Sequence, residues 1–74
     1  MNENEKYNAV RTACFAQKTG IQAMKLAPMI TKMTKETVIL NWHKVACILE
    51  VLEDQGLIKY TGLVDGQSNF EVKG

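Results

Sequence analysis

The sequence has few histidines and cysteines, the residues on which metal sites, disulfide bonds and many catalytic sites depend. It contains one histidine, His43, and two cysteines, Cys14 and Cys47, which lie far apart and form no CxxC motif. A structural zinc site is therefore not expected, and both thiols are expected to stay reduced in a cytoplasmic protein. There is no glycine-rich phosphate loop, and no nucleophile or carboxylate lies at a catalytic spacing from the histidine. We therefore expect neither an enzyme nor a protein with a metal or a cofactor.

Long apolar runs are also missing. No segment approaches the roughly 20 apolar residues that a membrane-spanning helix requires, so no membrane partner is expected. The first residues, Met-Asn-Glu-Asn-Glu-Lys, are acidic and polar, which is unlike a signal peptide. With 46% hydrophobic and 23% charged residues, the 74-residue chain has the composition of one small globular domain. Such a domain buries a modest core, so its stability should be low.

The formal net charge is only +1, but the charges are unevenly distributed. From Lys18 to Lys44 the chain carries five lysines against one glutamate, a local charge of +4. From Glu50 to Asp54 it carries three acids and no cation. A basic middle beside an acidic segment would give the protein a one-sided electrostatic surface. The alternative is an ordinary solvated surface with scattered charges.

Two segments have the pattern of amphipathic helices. The first helix is predicted from about residue 2 to 18, with Asn2 as N-cap and Glu5 completing an approximate capping box. The third helix is predicted from about residue 41 to 55, with Asn41 as N-cap and Gly56 just beyond its end. Its apolar residues recur at i, i+3, i+4 and i+7 and predict one buried stripe: Val45, Ile48, Leu49 and Leu52.

The path of residues 21–40 is the open question in this sequence. Ile21 to Met29 looks helical, but Pro28 is expected to bend or end that segment. Thr31 or Thr34 would then be the N-cap of a second helix. The Val-Ile-Leu run at 38–40 could be the last turn of that helix, a buried connector or a small strand.

Residues 57–73 are predicted to form a β-hairpin. Residues 57–64 form the first strand, with a bulge at Gly62, and the Asp-Gly-Gln-Ser sequence at 65–68 forms the turn. Residues 69–73 return as the second strand, with Phe70 and Val72 covering the third helix. Three helices followed by a hairpin predict an α+β fold. The specific hypothesis is a small winged helix-turn-helix domain over residues 1–74, in which the hairpin is the wing.

A resemblance to a known family supports this hypothesis. Residues 41–58, Asn-Trp-His-Lys-Val-Ala-Cys-Ile-Leu-Glu-Val-Leu-Glu-Asp-Gln-Gly-Leu-Ile, resemble the recognition helix of the gamma domain of FtsK-type DNA translocases. That family has Gly-Tyr-Asn-Arg-Ala-Ala-Arg-Ile-Ile-Glu-Gln-Met-Glu-x-x-Gly-Ile-Val there, and its Gly/Ser/Asn-rich wing is similar to residues 65–72. The resemblance implies a winged helix that recognises short duplex motifs, with His43 and Lys44 at the family's polar and basic contact positions. The chain departs from the family at Cys47 and Phe70, where the family has arginine, and it contains no motor.

The predicted function is binding of double-stranded DNA, as a small transcriptional regulator. The exposed N-terminal residues of the third helix would enter the major groove, and the wing would contact the backbone or the minor groove. A homodimer through the first helix, with Tyr7 and Phe15 as contacts, would supply the second half-site. The alternative is a winged-helix protein-interaction module, either an adaptor or a small inhibitor of phage or plasmid type. The candidate DNA-binding residues are Asn41, His43, Lys44, Cys47, Lys32, Lys35, Lys59, Gln67 and Ser68.

Overall fold

A computed structural model of the protein describes residues 2–74. Three helices are followed by an antiparallel two-stranded hairpin, which confirms the predicted order of elements. None of the helices within the described residues is long and apolar enough to cross a membrane. The helices are α1 (Glu3–Gln17), α2 (Ala23–Met33) and α3 (Trp42–Asp54), and the strands are β1 (Ile58–Val64) and β2 (Gln67–Val72).

The ends of α1 and α3 follow from local sequence. The Asn2 side chain accepts a hydrogen bond from the backbone N–H of Glu5 at 2.8 Å, and the Asn41 side chain accepts one from Lys44 at 2.9 Å. Both bonds satisfy amides that have no partner inside the helix, and both predicted N-caps are confirmed. At the other end of α3, Gly56 adopts a φ of +78°, the left-handed conformation that ends a helix most easily.

One hydrophobic core joins the three helices and the hairpin. The predicted stripe of α3 is confirmed, since all four of its residues are buried. Cys14 of α1 lies in the same core, and burial raises the pKa of its thiol to about 12. Phe15, one of the two predicted dimer contacts, is exposed, and the Arg11 guanidinium lies 5.7 Å from the centroid of its ring. The core residues are Val10, Ala13, Cys14, Ile21, Leu26, Ala27, Ile30, Val38, Leu40, Val45, Ile48, Leu49, Leu52, Ile58 and Phe70.

The helix does not end at Pro28, one of the two predicted effects of this residue, because α2 continues through it to Met33. A proline inside a helix removes one hydrogen-bond donor and costs about 3 kcal/mol. Burial of the apolar face of α2 offsets this cost, since Leu26, Ala27 and Ile30 all lie in the core.

Neither predicted N-cap at residues 31–34 is present. The Thr31 hydroxyl donates back to the carbonyl of Ala27 at 3.3 Å, and the Thr34 hydroxyl donates to that of Ile30 at 2.8 Å. Both threonines therefore belong to the last turn and C-cap of α2 rather than to a helix start. Residues 38–40 form a connector to α3, in which Val38 and Leu40 are buried and Ile39 is exposed.

Ile21 was expected to be helical, and it is instead an extended residue that pairs with the hairpin. Its N–H donates to the carbonyl of Phe70, and the N–H of Phe70 donates to the carbonyl of Ile21, both at 2.9 Å. The Ile21 side chain is fully buried. The next residue, Gln22, donates from its side-chain amide to the carbonyl of Val64 at 3.0 Å. The hairpin is therefore attached to the segment between α1 and α2 by main-chain and side-chain hydrogen bonds.

The hairpin has a two-residue turn and one bulge. Asp65 and Gly66 both have positive φ, +54° and +77°, which is the geometry that a tight hairpin turn requires. Gln67 and Ser68 were predicted in the turn, but they are the first residues of β2 and pair with β1. The predicted bulge is confirmed, because the register shifts between Tyr60 and Gly62.

Candidate nucleic-acid interface

The N-terminal end of α3 presents two of the candidate residues to solvent, Asn41 and His43. The side-chain oxygen of Asn41 is already used as the N-cap of the helix, so its amide NH₂ is the group left to contact a base. The His43 ring stacks on the neighbouring Trp42, with ring centroids 3.8 Å apart and planes inclined by 28°. This stack fixes the direction in which the imidazole is presented.

Lys44, the predicted basic contact, is engaged by α1. Its ammonium lies 2.7 Å from a carboxylate oxygen of Glu3, whose other oxygen is 3.5 Å from the ammonium of Lys6. The hydrogen bond from Lys44 holds the pKa of the Glu3 carboxyl below its usual range. Because this pair is exposed, its contribution to stability is small, and a duplex could compete for the lysine.

Cys47 lies on the same side of α3 as Lys44. The two residues line a shallow depression between α1 and α3, together with Tyr7 and Gln55. The Tyr7 hydroxyl donates to the side-chain oxygen of Gln55, and the partly buried Tyr7 ring packs against the core. Cys47 is exposed. The structure thus separates Lys44 and Cys47 from the hairpin side of α3.

Gln67 and Ser68 lie across a cleft from the start of α3. The cleft is lined on one side by Trp42 and Ala46 and on the other by these two residues of the hairpin. The turn end of the hairpin and the N-terminal half of α3 therefore lie at the same end of the molecule. Lys59 does not belong to this group, since it lies near the opposite end of the hairpin, where its ammonium is 3.2 Å from the Glu71 carboxylate.

Lys32 and Lys35 are exposed at the end of α2 and in the turn that follows. Lys35 and Glu36 both have positive φ, +52° and +67°, which most side chains avoid. The Thr34 hydroxyl holds this turn in place, because it accepts a hydrogen bond from the N–H of Val38 at 3.1 Å. Neither lysine forms an ion pair with another described residue, so both ammonium groups are available to a phosphate.

The charge of α3 changes along its length. The first two turns carry no acid, whereas Glu50, Glu53 and Asp54 are all exposed in the C-terminal half. The outward face of the helix carries His43, Cys47, Glu50 and Asp54. Only the N-terminal half of α3 is therefore compatible with close approach of phosphate groups.

The cleft between α3 and the hairpin was not predicted from the sequence. It has a volume of about 380 Å³ and is mostly apolar, with Met24 of α2 and Phe70 of β2 completing the lining around Trp42. Met24 reaches this cleft because Ile21, just before α2, is paired to Phe70. The β-branched Ile21 directly after the Thr-Gly stop of α1 is the only signal in the sequence that could have indicated an extended residue there.

Comparisons with protein-family models, with curated proteins and with solved structures found no match to the chain. Within residues 2–74, no three histidine, cysteine or acidic side chains come together in a group that could hold a metal ion.

Proposed function

We propose that this protein is a winged-helix domain that binds double-stranded DNA, as a small transcriptional regulator. One observation carries the proposal: the acid-free first half of α3 and the turn end of the hairpin lie on the two sides of one cleft, at one end of the molecule. In helix-turn-helix proteins the N-terminal half of the recognition helix contacts base edges in the major groove. A hairpin beside that helix is positioned to contact the adjacent backbone or minor groove.

The side chains divide into two roles. His43 and the amide NH₂ of Asn41 are exposed polar groups that can hydrogen-bond to base edges. Lys32 and Lys35 carry ammonium groups that pair with no carboxylate within residues 2–74, and Lys44 adds a third when it leaves Glu3. Gln67 and Ser68 supply hydrogen bonds from the wing. A dimer through the exposed side of α1, where Arg11 lies over Phe15, would provide the second half-site.

The proposal is tested by fluorescence anisotropy of the protein with a random duplex pool at low and at physiological salt. Three lysine–phosphate contacts predict that log K falls against log salt with a slope of about −3, and that a subset of sequences still binds at physiological salt. Sequencing the retained duplexes would give the motif. Absence of binding at low salt would contradict DNA binding altogether.

Lys44→Ala and Glu3→Gln test whether the lysine acts on DNA through competition with α1. Loss of the lysine should weaken binding and reduce the salt slope by about one unit, because one phosphate contact is lost. Glu3→Gln should strengthen binding, because it releases the ammonium from its carboxylate. In the wild type the pair weakens as pH falls through the lowered pKa of Glu3, so at neutral pH the lysine remains engaged.

Arg11→Ala is the matched control, since it removes one exposed cation of α1 that is not among the proposed DNA contacts. Its affinity for a monomer-length site should match that of the wild type. If Lys44→Ala binds as the wild type does at every salt concentration, the proposed contact face of α3 is wrong.

The second candidate is a winged-helix module that binds another protein. The observation that favours it is the acidic C-terminal half of α3, where Glu50 and Asp54 share the outward face with Cys47. Trp42 and Val51 are also exposed on the two flanks of that face. Exposed apolar side chains beside uncompensated acids are typical of a protein-binding surface rather than a phosphate-binding one.

A further inference from the structure

We propose that the cleft between α3 and the hairpin binds an extended, basic segment of another protein and holds one large apolar side chain of that segment. The proposal gives the second candidate function a specific surface and a partner of defined chemistry. Because Ser68 and the Trp42 end of α3 also border the proposed DNA interface, the segment and a duplex would compete for this end of the molecule.

The lining of the cleft fits a large apolar side chain. Leu49 and Phe70 belong to the core and form its apolar base, while Met24 and Trp42, 50% and 43% exposed, form its walls. Its volume of about 380 Å³ is at the lower end of the range for ligand pockets and is enough for one large side chain. Methionine walls adapt to different apolar shapes, and tryptophan is enriched among residues that dominate binding energy.

On the edge of β2 that faces away from β1, the backbone groups of Ser68 have no partner outside the hairpin within residues 2–74. Phe70 exchanges both of its backbone hydrogen bonds with Ile21, and the N–H of Val72 donates to the carbonyl of Lys18 at 2.8 Å. Strand alternation turns the backbone groups of Ser68 to this same edge. Ser68 is exposed, lines the cleft and has no hydrogen bond to any described residue outside the hairpin. An extended segment can continue the pairing there while its side chain enters the cleft.

The charge at and beside the cleft is acidic. Glu50 is the single charged residue in the cleft lining, and Glu53 and Asp54 follow in the next turn of α3. None of the three forms an ion pair with another residue in the range 2–74. Lysine or arginine on the segment would compensate them, whereas phosphate groups would be repelled. The charge at the Glu50 end of the cleft therefore favours a basic peptide, whereas the Trp42 end carries no acid.

Trp42 provides a direct measurement, because it is the only tryptophan in the chain and forms a wall of the cleft. Peptides that bind the folded protein are selected from a library of random decapeptides. Selected peptides without tryptophan are then titrated into the protein while the fluorescence emission of Trp42 is recorded. We expect the selected peptides to carry a large apolar residue flanked by lysine or arginine and to shift the Trp42 emission to shorter wavelength.

Two substitutions test the location. Met24→Glu should weaken binding of these peptides at least about tenfold, because it places a charge in the apolar wall. Met33→Glu is the matched control, since it changes the same residue type at 44% exposure on the same helix, outside the cleft. Glu50→Lys should also weaken binding about tenfold, whereas Glu5→Lys on α1 should leave it unchanged. Circular dichroism of each variant verifies that it is folded.

The proposal is overturned if no peptide is selected above background, or if selected peptides are acidic or bind Met24→Glu and Met33→Glu equally. It is also overturned if duplex DNA shifts the Trp42 emission and Met24→Glu abolishes that shift, because the cleft would then belong to the DNA interface. Anisotropy with the duplex pool is measured separately, so failure of the cleft proposal leaves the test of DNA binding intact.

Discussion

Replacement of Leu52 by alanine is expected to lower the free energy of unfolding by about 2–5 kcal/mol. Leu52 is 1% exposed and belongs to the core that joins the three helices to the hairpin. Removing three buried carbons loses their transfer free energy and leaves a cavity that the surrounding helices fill only in part. Because a domain of this size has a small margin of stability, the variant should be largely unfolded near physiological temperature.

The loss of free energy of unfolding is measured by urea denaturation of Leu52→Ala, with Val51→Ala as the control variant. Val51 is the adjacent residue of α3 but is 45% exposed, so its truncation should change the free energy of unfolding by less than about 0.5 kcal/mol. If Leu52→Ala is already unfolded in water, an excluded osmolyte restores a folded baseline for both proteins. A difference of less than about 1 kcal/mol between the two variants would show that this side of α3 is not core.

Replacement of Phe70 by alanine is expected to cost about 3–5 kcal/mol and to loosen the hairpin. The ring is buried in the common core and meets Tyr60 edge to face at 5.7 Å. The backbone of the same residue holds Ile21, so Phe70 joins the hairpin, the core and the start of α2. A hairpin alone is marginal in water, and the loss of this ring removes its main attachment to the helices.

Leu63→Ala is the control for this second prediction, since Leu63 is on the neighbouring strand and is exposed. Urea denaturation should separate the two variants by more than about 2 kcal/mol. Amide hydrogen exchange at Ile21 should also become faster in Phe70→Ala and not in Leu63→Ala. Equal stability of the two variants would mean that the hairpin is not part of the core.

The two functions proposed for α3 share its Trp42 end but depend on groups of opposite charge. Its first two turns carry His43 and Lys44 without an acid, and its last two turns carry Glu50, Glu53 and Asp54 without a cation. Phosphate contacts depend steeply on salt, whereas an apolar side chain in the cleft depends on it weakly. Salt dependence therefore separates the two functions when it is measured together with the effect of Glu50→Lys, which should weaken binding of the basic peptide.

Much of the fold was predictable because its signals are local. The N-caps at Asn2 and Asn41, the apolar stripe of α3 and the Asp65-Gly66 turn each depend on residues within a few positions of one another. Such interactions form in the same way wherever the segment lies in the fold. For this reason the order of three helices and a hairpin could be predicted from the sequence.

The exceptions were decided by contacts between distant segments. Pro28 stays helical because burial of its neighbours outweighs a local penalty, and Ile21 is extended because Phe70 offers it two hydrogen bonds. Lys44 faces Glu3 from the first turn of α1, an interaction that no local spacing indicates. Met24 and Trp42 line one cleft only because the hairpin is attached beside α2.

The sequence by itself therefore determined α1, α3, their N-caps and the presence of the hairpin. Only the tertiary structure decided which side of α3 each candidate residue occupies and which lysines are unpaired. The physical reason is that caps and turns are satisfied within one segment, whereas ion pairs, strand pairing and clefts require two segments to be brought together.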